Sequence, residues 1–157
     1  TQNAFPTDWA TTQNNLGEAC SRRIKGDTAD NIEKAIAAYQ KALLVCTKDA
    51  FPRYWADTQN NLGLAYGQRI KRNTAENLEL AIAAYENALL VRTKDAFPRY
   101  WADTQNNLGI AYSNRIKGNT AENLELAIAA FQNALEIRTK DAFSNKWAQT
   151  QNNLGLA

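Results

Sequence analysis

Four pairs of adjacent asparagines, Asn14 with Asn15, Asn60 with Asn61, Asn106 with Asn107 and Asn152 with Asn153, recur every 46 residues within near-copies of the segment WADTQNNLG. A primary amide carries both a donor and an acceptor, the two functions that an extended peptide backbone presents. One such group per unit would form a ladder that reads main chain rather than side chains. Asn14, Asn60, Asn106 and Asn152 are its expected rungs, and Asn15, Asn61, Asn107 and Asn153 lie at its edge, placed to bond a ligand or to tie adjacent units together. Chemistry of other kinds finds little support. The chain has no histidine, its carboxylates are dispersed and it has no glycine-rich phosphate loop. Its two cysteines, Cys20 and Cys46, have no partners arranged for a nucleophile or a metal. No catalysis, cofactor or metal is expected.

The elements that must position these amides are repeated helices. Trp9, Trp55, Trp101 and Trp147 mark the period, and residues 50–95 differ from 96–141 only at 64/110, 67/113, 68/114, 72/118, 85/131, 86/132, 90/136 and 91/137. The units run over about 4–49, 50–95 and 96–141, with a fourth begun at 142–157. A unit of this size cannot close a core alone, so the repeats must stack into a quasi-one-dimensional array forming a single domain. Within a unit, Trp55, Leu62, Tyr66 and Ile70 share one helical face, and Leu78, Ile82, Tyr85 and Leu89 share another. The first helix is expected to open at Pro52 and end near Ile70, its stop marked by Gly26 and Gly118 but by Arg72 in the second unit. The second opens with Asn73 or Thr74 as N-cap and runs to about Arg92. Connections of four to six residues would make the two antiparallel.

Composition bounds the rest. Hydrophobic residues make up 45% of the chain, enough for a core, and no apolar run reaches the length of a membrane span. The N-terminus lacks a secretory pattern, so a reducing, cytoplasmic setting is expected, with Cys20 and Cys46 as free thiols on the order of 20 Å apart. Eighteen basic and 16 acidic residues are mixed along the whole length, so net charge does not dictate a partner. The absence of Met and the stop at Ala157 inside a motif point to a fragment of something longer or an engineered array.

With Leu62, Gly63, Tyr66, Ala81, Tyr85 and Ala88, repeated as Leu108, Gly109, Tyr112, Ala127, Phe131 and Ala134, the unit resembles the tetratricopeptide repeat. Gln59 stands where that pattern has its usual Trp, Pro98 falls late, and the period is long. The extra residues split evenly between the two halves of the unit, as if both helices were lengthened. The long repeats of kinesin light chain, which also carry NNL, are a closer likeness, and similar long units occur in bacterial multidomain proteins. The resemblance implies an all-α, right-handed α-solenoid of antiparallel helix pairs. Its first helices would line a concave groove that binds protein or peptide.

A small Gly63 lets the partner helix approach near Ala81 and Ala88. Asn60, by contrast, points more than a right angle away from the direction set by Trp55, Leu62 and Tyr66. It falls on a stripe with Asp57, Asn61, Leu64, Gly67 and Gln68, which the resemblance makes the groove wall. Asp103, Ile110 and Asn114 are the equivalents in the third unit. Leu64, Ile110 and Leu156 are placed to seat ligand side chains, and three of the eight differences between units two and three fall on this stripe. With Glu18, Asp57 and Asp103 against Arg22 alone, the groove favours a neutral to weakly basic protein or peptide segment, and it lacks the Lys/Arg clamp that resembling domains use for a C-terminal carboxylate. Trp55, Tyr66 and Tyr85 read as core. The basic rows at Arg23, Arg69, Arg115 and at Lys25, Lys71, Lys117 alternate with recurring acids and read as paired, solvated charge, so nucleic acid is not the expected partner. The alternative to a peptide receptor is a structural spacer, or a scaffold that associates end to end.

Overall fold

The computed structural model describes residues 4–157. Its elements are α1 (Pro6–Ser21), α2 (Thr28–Leu43), α3 (Pro52–Gly67), α4 (Thr74–Leu89), α5 (Pro98–Ser113), α6 (Thr120–Leu135) and α7 (Lys140–Leu156), with no strand among the described residues. Odd-numbered helices open each unit and even-numbered helices close it. Pro6, Pro52 and Pro98 occupy the first helical turn, where a missing N–H costs nothing. Asp27, Asn73 and Asn119 cap α2, α4 and α6 by accepting backbone N–H bonds from the first turn. In the last unit Ser144 replaces that proline, and α7 runs on from Lys140 across a kink at Phe143, whose φ of -146° and ψ of 57° match those at Phe51 and Phe97. Serine supplies the N–H that proline lacks, so the turn before it can join the helix.

Both helices are shorter than the apolar spacing predicts. α3 stops at Gly67 rather than near Ile70, and α4 at Leu89 rather than Arg92, so the connections run over 68–73 and 90–97. The cause of the first stop lies in a buried asparagine of the second helix, a residue that apolar spacing does not register. Asn77 donates to the carbonyls of Arg69 (3.1 Å) and Lys71 (3.0 Å), clasping the turn on either side of Ile70. Asn31 and Asn123 do the same for their own turns. The side chain between the two clasped carbonyls is thrown outward, and Ile24, Ile70 and Ile116 are all exposed.

The clasped turn also needs a left-handed residue. Gly26 (φ 94°) and Gly118 (φ 83°) supply it without cost, whereas Arg72 is held at φ 71°. A residue with a Cβ loses about 1–2 kcal/mol there, and part of that is returned because glycine frees the unfolded chain. Arg72→Gly is therefore expected to stabilise the protein by about 1 kcal/mol. Urea unfolding checks it, and an unchanged or lowered midpoint would show that the turn carries no strain.

One continuous core runs through the array. Ile32, Ile36 and Tyr39 pack on Leu62 and Tyr66, then on Ile82 and Tyr85, Leu108 and Tyr112, and Phe131. Each second helix lays one ring across a glycine of its own first helix: Tyr39 over Gly17, Tyr85 over Gly63 and Phe131 over Gly109. Successive first helices touch, α1 on α3 and α3 on α5, while the second helices pack chiefly on first helices on either side. Helices that lie closer together form the inner side of a curved stack, so the first helices line the inner wall of this helical solenoid.

Candidate functional site

Three register-equivalent cavities open along the line where successive units meet. Their volumes are about 210, 390 and 270 Å³. Each has an aromatic ring of a second helix at its base, Tyr39, Tyr85 and Phe131 in turn. The following first helix supplies an asparagine on one wall (Asn61, Asn107, Asn153) and an apolar rim (Leu64, Ile110, Leu156). Gln68 and Asn114 continue the rim of the first two. The preceding first helix contributes Ser21, Gly67 or Ser113. Of the residues placed on the groove stripe by sequence, Asn61, Leu64 and Gln68 thus meet at the first cavity, Asn107, Ile110 and Asn114 at the second, and Asn153 and Leu156 at the third, which Ile110 and Asn114 also border.

The first asparagine of each pair does something else. Asn60 Oδ1 accepts from the Thr104 hydroxyl (3.2 Å) and from Asn107 Nδ2 (3.4 Å) of the next unit. Asn106 accepts from Thr150 (2.9 Å) and Asn153 (3.3 Å), and Asn14 from Thr58 (3.3 Å) and Asn61 (3.4 Å). Asn60 and Asn106 are only 8% and 3% exposed. The expectation that Asn14, Asn60 and Asn106 offer free amides to a groove needs correction: their oxygens are used between units. A helical wheel referred to the partner helix of the same unit misses this, because a stacked helix has a second buried face toward the neighbouring unit. Asn152, the fourth expected rung, is exposed, as is Asn15.

That bonding leaves the second asparagines with an unused function. Asn61, Asn107 and Asn153 give an Nδ2 hydrogen to the preceding unit, while their Oδ1 atoms accept nothing from the described residues. Each cavity therefore presents at least one amide oxygen that accepts nothing from the described residues. Tyr85 adds a second function. It is 4% exposed, burial alone raises its phenol far above the ordinary range, and its hydroxyl makes no hydrogen bond with the described residues. Tyr39 is raised by burial too, an effect that the nearby Ser21 hydroxyl partly offsets, and Phe131 has no hydroxyl at all.

The charges expected in the groove are neutralised. Asp57 Oδ1 accepts from the Arg92 guanidinium (2.8 Å), which also reaches the hydroxyl of Thr104 (2.8 Å) in the next unit. Asp103 pairs in the same way with Arg138 (2.8 Å) and also takes Lys146 (2.7 Å). Burial would raise the Asp103 carboxyl, but the two cations outweigh it and hold it below the usual carboxylate range. The preference for a basic ligand inferred from Asp57 and Asp103 loses its ground, since neither is a free charge. Arg69 and Arg115, expected as paired, solvated charge, are indeed paired, through two-pronged bonds to Glu33 and Glu79 of the preceding unit, but Arg69 is largely buried rather than solvated. These bonds hold both glutamates below their ordinary pKa. The sequence signal for the Asp57–Arg92 pair was there, because both change together in the first unit, to Thr11 and Cys46. Without the long guanidinium, that junction keeps a cavity of about 130 Å³ beside the buried Cys46, whereas the space beside Arg92 is filled.

Among the described residues no cluster of His, Cys, Asp or Glu is arranged to hold a metal, and no helix is long and apolar enough to cross a membrane. A family model for the tetratricopeptide repeat matches residues 55–91, from the tryptophan of the second unit to the end of its helix pair. No curated protein and no solved structure matches the chain. The stacked helix pairs extend the matched unit in the same register on both sides, so the chain is a helical solenoid whose second unit is similar to the tetratricopeptide repeat.

Proposed function

We propose that the inner wall binds an extended segment of a partner protein, with the second asparagine of each unit as the repeated main-chain contact. The observation that carries this reading is the threefold recurrence of one cavity with a free amide oxygen beside an apolar rim. Backbone N–H groups of the partner donate to Asn61, Asn107 and Asn153, and its side chains settle against Leu64, Ile110 and Leu156. Asn60 and Asn106 serve this indirectly, by fixing the amide orientation of the asparagines that follow them. Peptides selected from a random display library on the protein are expected to bind the Ile110→Arg variant at least tenfold more weakly, with its molecular mass by light scattering unchanged. Ile110 is exposed enough to accept the change without loss of fold. Equal binding to both proteins would remove the inner wall as the receptor.

A second reading, self-association end to end, has one observation in its favour. Each junction joins an arginine of one unit to a glutamate of the unit before it, and Arg23 and Glu125, the remaining members of the two series, make no ion pair with the described residues. The same light-scattering measurement weighs it, since head-to-tail contact predicts a mass that grows with concentration.

A further inference from the structure

The three cavities are copies in position but not in chemistry, and the middle one stands apart. It is the largest, it has Gly67 where its neighbours have Ser21 and Ser113, and a Cβ added at Gly67 would meet nothing within 4 Å. Its base carries Tyr85, a ring only 4% exposed whose hydroxyl makes no hydrogen bond with the described residues. That hydroxyl is not among the buried atoms left without a partner, so it opens onto the cavity, where a ligand can reach it. Neither the middle nor the third cavity is lined by a charged residue, whereas the first is rimmed by the Glu18–Arg22 pair.

The step between cavities adds a second constraint. Successive first helices are bonded directly through asparagine and threonine, so their axes lie within the usual packing distance of about 8–10 Å. A β-strand repeats its side-chain direction every second residue, about 6.7 Å, and next at about 13 Å, so neither spacing matches one unit. A polyproline II chain repeats every third residue at about 3.1 Å per residue, or about 9 Å. It also has no internal hydrogen bonds, which leaves its amides free for the wall.

Resting on the inner-wall reading above, we infer that the partner segment is a neutral stretch in polyproline II conformation with two large apolar side chains three residues apart. One fills the middle cavity, the other packs on Phe131 and Leu156 in the third, and the Tyr85 hydroxyl donates to the main-chain carbonyl beside the first. The residue over Tyr39 is polar, facing Glu18 and Arg22.

Fluorescein-labelled peptides of serine, glutamine and proline, each with two leucines spaced by two, three or four residues, test this by fluorescence polarisation. The series spaced by three is expected to bind about tenfold tighter than the other two. Tyr85→Phe, which copies the residue already accommodated at Phe131, should weaken that series roughly fivefold to tenfold, and Gly67→Ser should weaken it by crowding the cavity. Equal affinity at all spacings, or no effect of Tyr85→Phe, overturns the inference. Ile110→Arg separates the two levels. If it abolishes binding while spacing makes no difference, the inner wall is still the receptor and the rule of three is wrong. If it leaves binding intact, or if no peptide binds the unaltered protein, both fall.

Discussion

Arg92→Ala is expected to lower the stability of the array by about 3 kcal/mol. Arg92 is 7% exposed and its guanidinium joins two units, bonding Asp57 on its own first helix and Thr104 on the next. Removing one partner of a buried ion pair typically costs about 3–5 kcal/mol. The lower end applies here because Asp57 is about a third exposed and water can reach it. A void must be added to that. At the first junction, where Cys46 takes the arginine's place, the opening is already about 130 Å³. The first unit also shows how the loss is tolerated, for Thr11 replaces the aspartate there and no carboxylate is stranded. Arg92→Cys alone should therefore destabilise more than Arg92→Cys combined with Asp57→Thr, a sign that simple additivity forbids. Urea unfolding of the three variants measures this. A single variant within about 0.5 kcal/mol of the parent, the scale of ordinary surface changes, would mean that the pair is only a surface decoration.

The same junction explains which parts of this molecule a reader of the sequence can see. Helix content, the proline starts, a cap at Asn73 or Thr74 and the need for a small residue at Gly63 all follow from local rules; the structure bears them out, with Asn73 as the cap and the Tyr85 ring, rather than Ala81 or Ala88, lying over the glycine. Ile70 misleads because it falls in phase with Leu62 and Tyr66, yet the Asn77 clasp bends the backbone before it is reached. No periodicity reports a side chain that bonds two carbonyls in another element. Asn60 and Asp57 mislead for a related reason. Their partners, Thr104 and Arg92, lie 44 and 35 positions away, a separation set by the stacking and not by any helical turn. The stripe holding Asn61, Leu64 and Gln68 could be found, because those residues sit on the open side where a wheel diagram remains a fair guide. Tyr85 was hidden by its own hydrophobicity: as a ring it belongs to the core, and only the depth of the neighbouring cavity gives its hydroxyl a use.

Two glycines one helical turn apart should respond to alanine in opposite senses. Helix propensity alone favours alanine at an interior helical position by about 0.8–1.0 kcal/mol. At Gly67, the exposed last residue of α3, a Cβ meets nothing, so Gly67→Ala is expected to stabilise by a few tenths of a kcal/mol, less than the interior value because the helix ends there. At Gly63 the added atom would lie 2.6 Å from Tyr85 Cε1 and 2.8 Å from Cδ1. Such a contact must be relieved, and the ring, a member of the core that is open only on its cavity side, can move away only by giving up core packing. Overpacking of this kind costs about 1–3 kcal/mol, sometimes more. With α3 and α4 forced apart, the packing of α5 on both is disturbed as well, so the upper part of that range applies. Even after the propensity gain, Gly63→Ala should lose about 2 kcal/mol. Adding Tyr85→Leu, which removes the ring edge, should recover part of the loss, whereas Tyr85→Phe, which keeps the ring, should recover none. If Gly63→Ala matched Gly67→Ala in thermal and urea unfolding, the close approach of ring to backbone would have no energetic weight, and the glycine at the same place in each unit would need another reason.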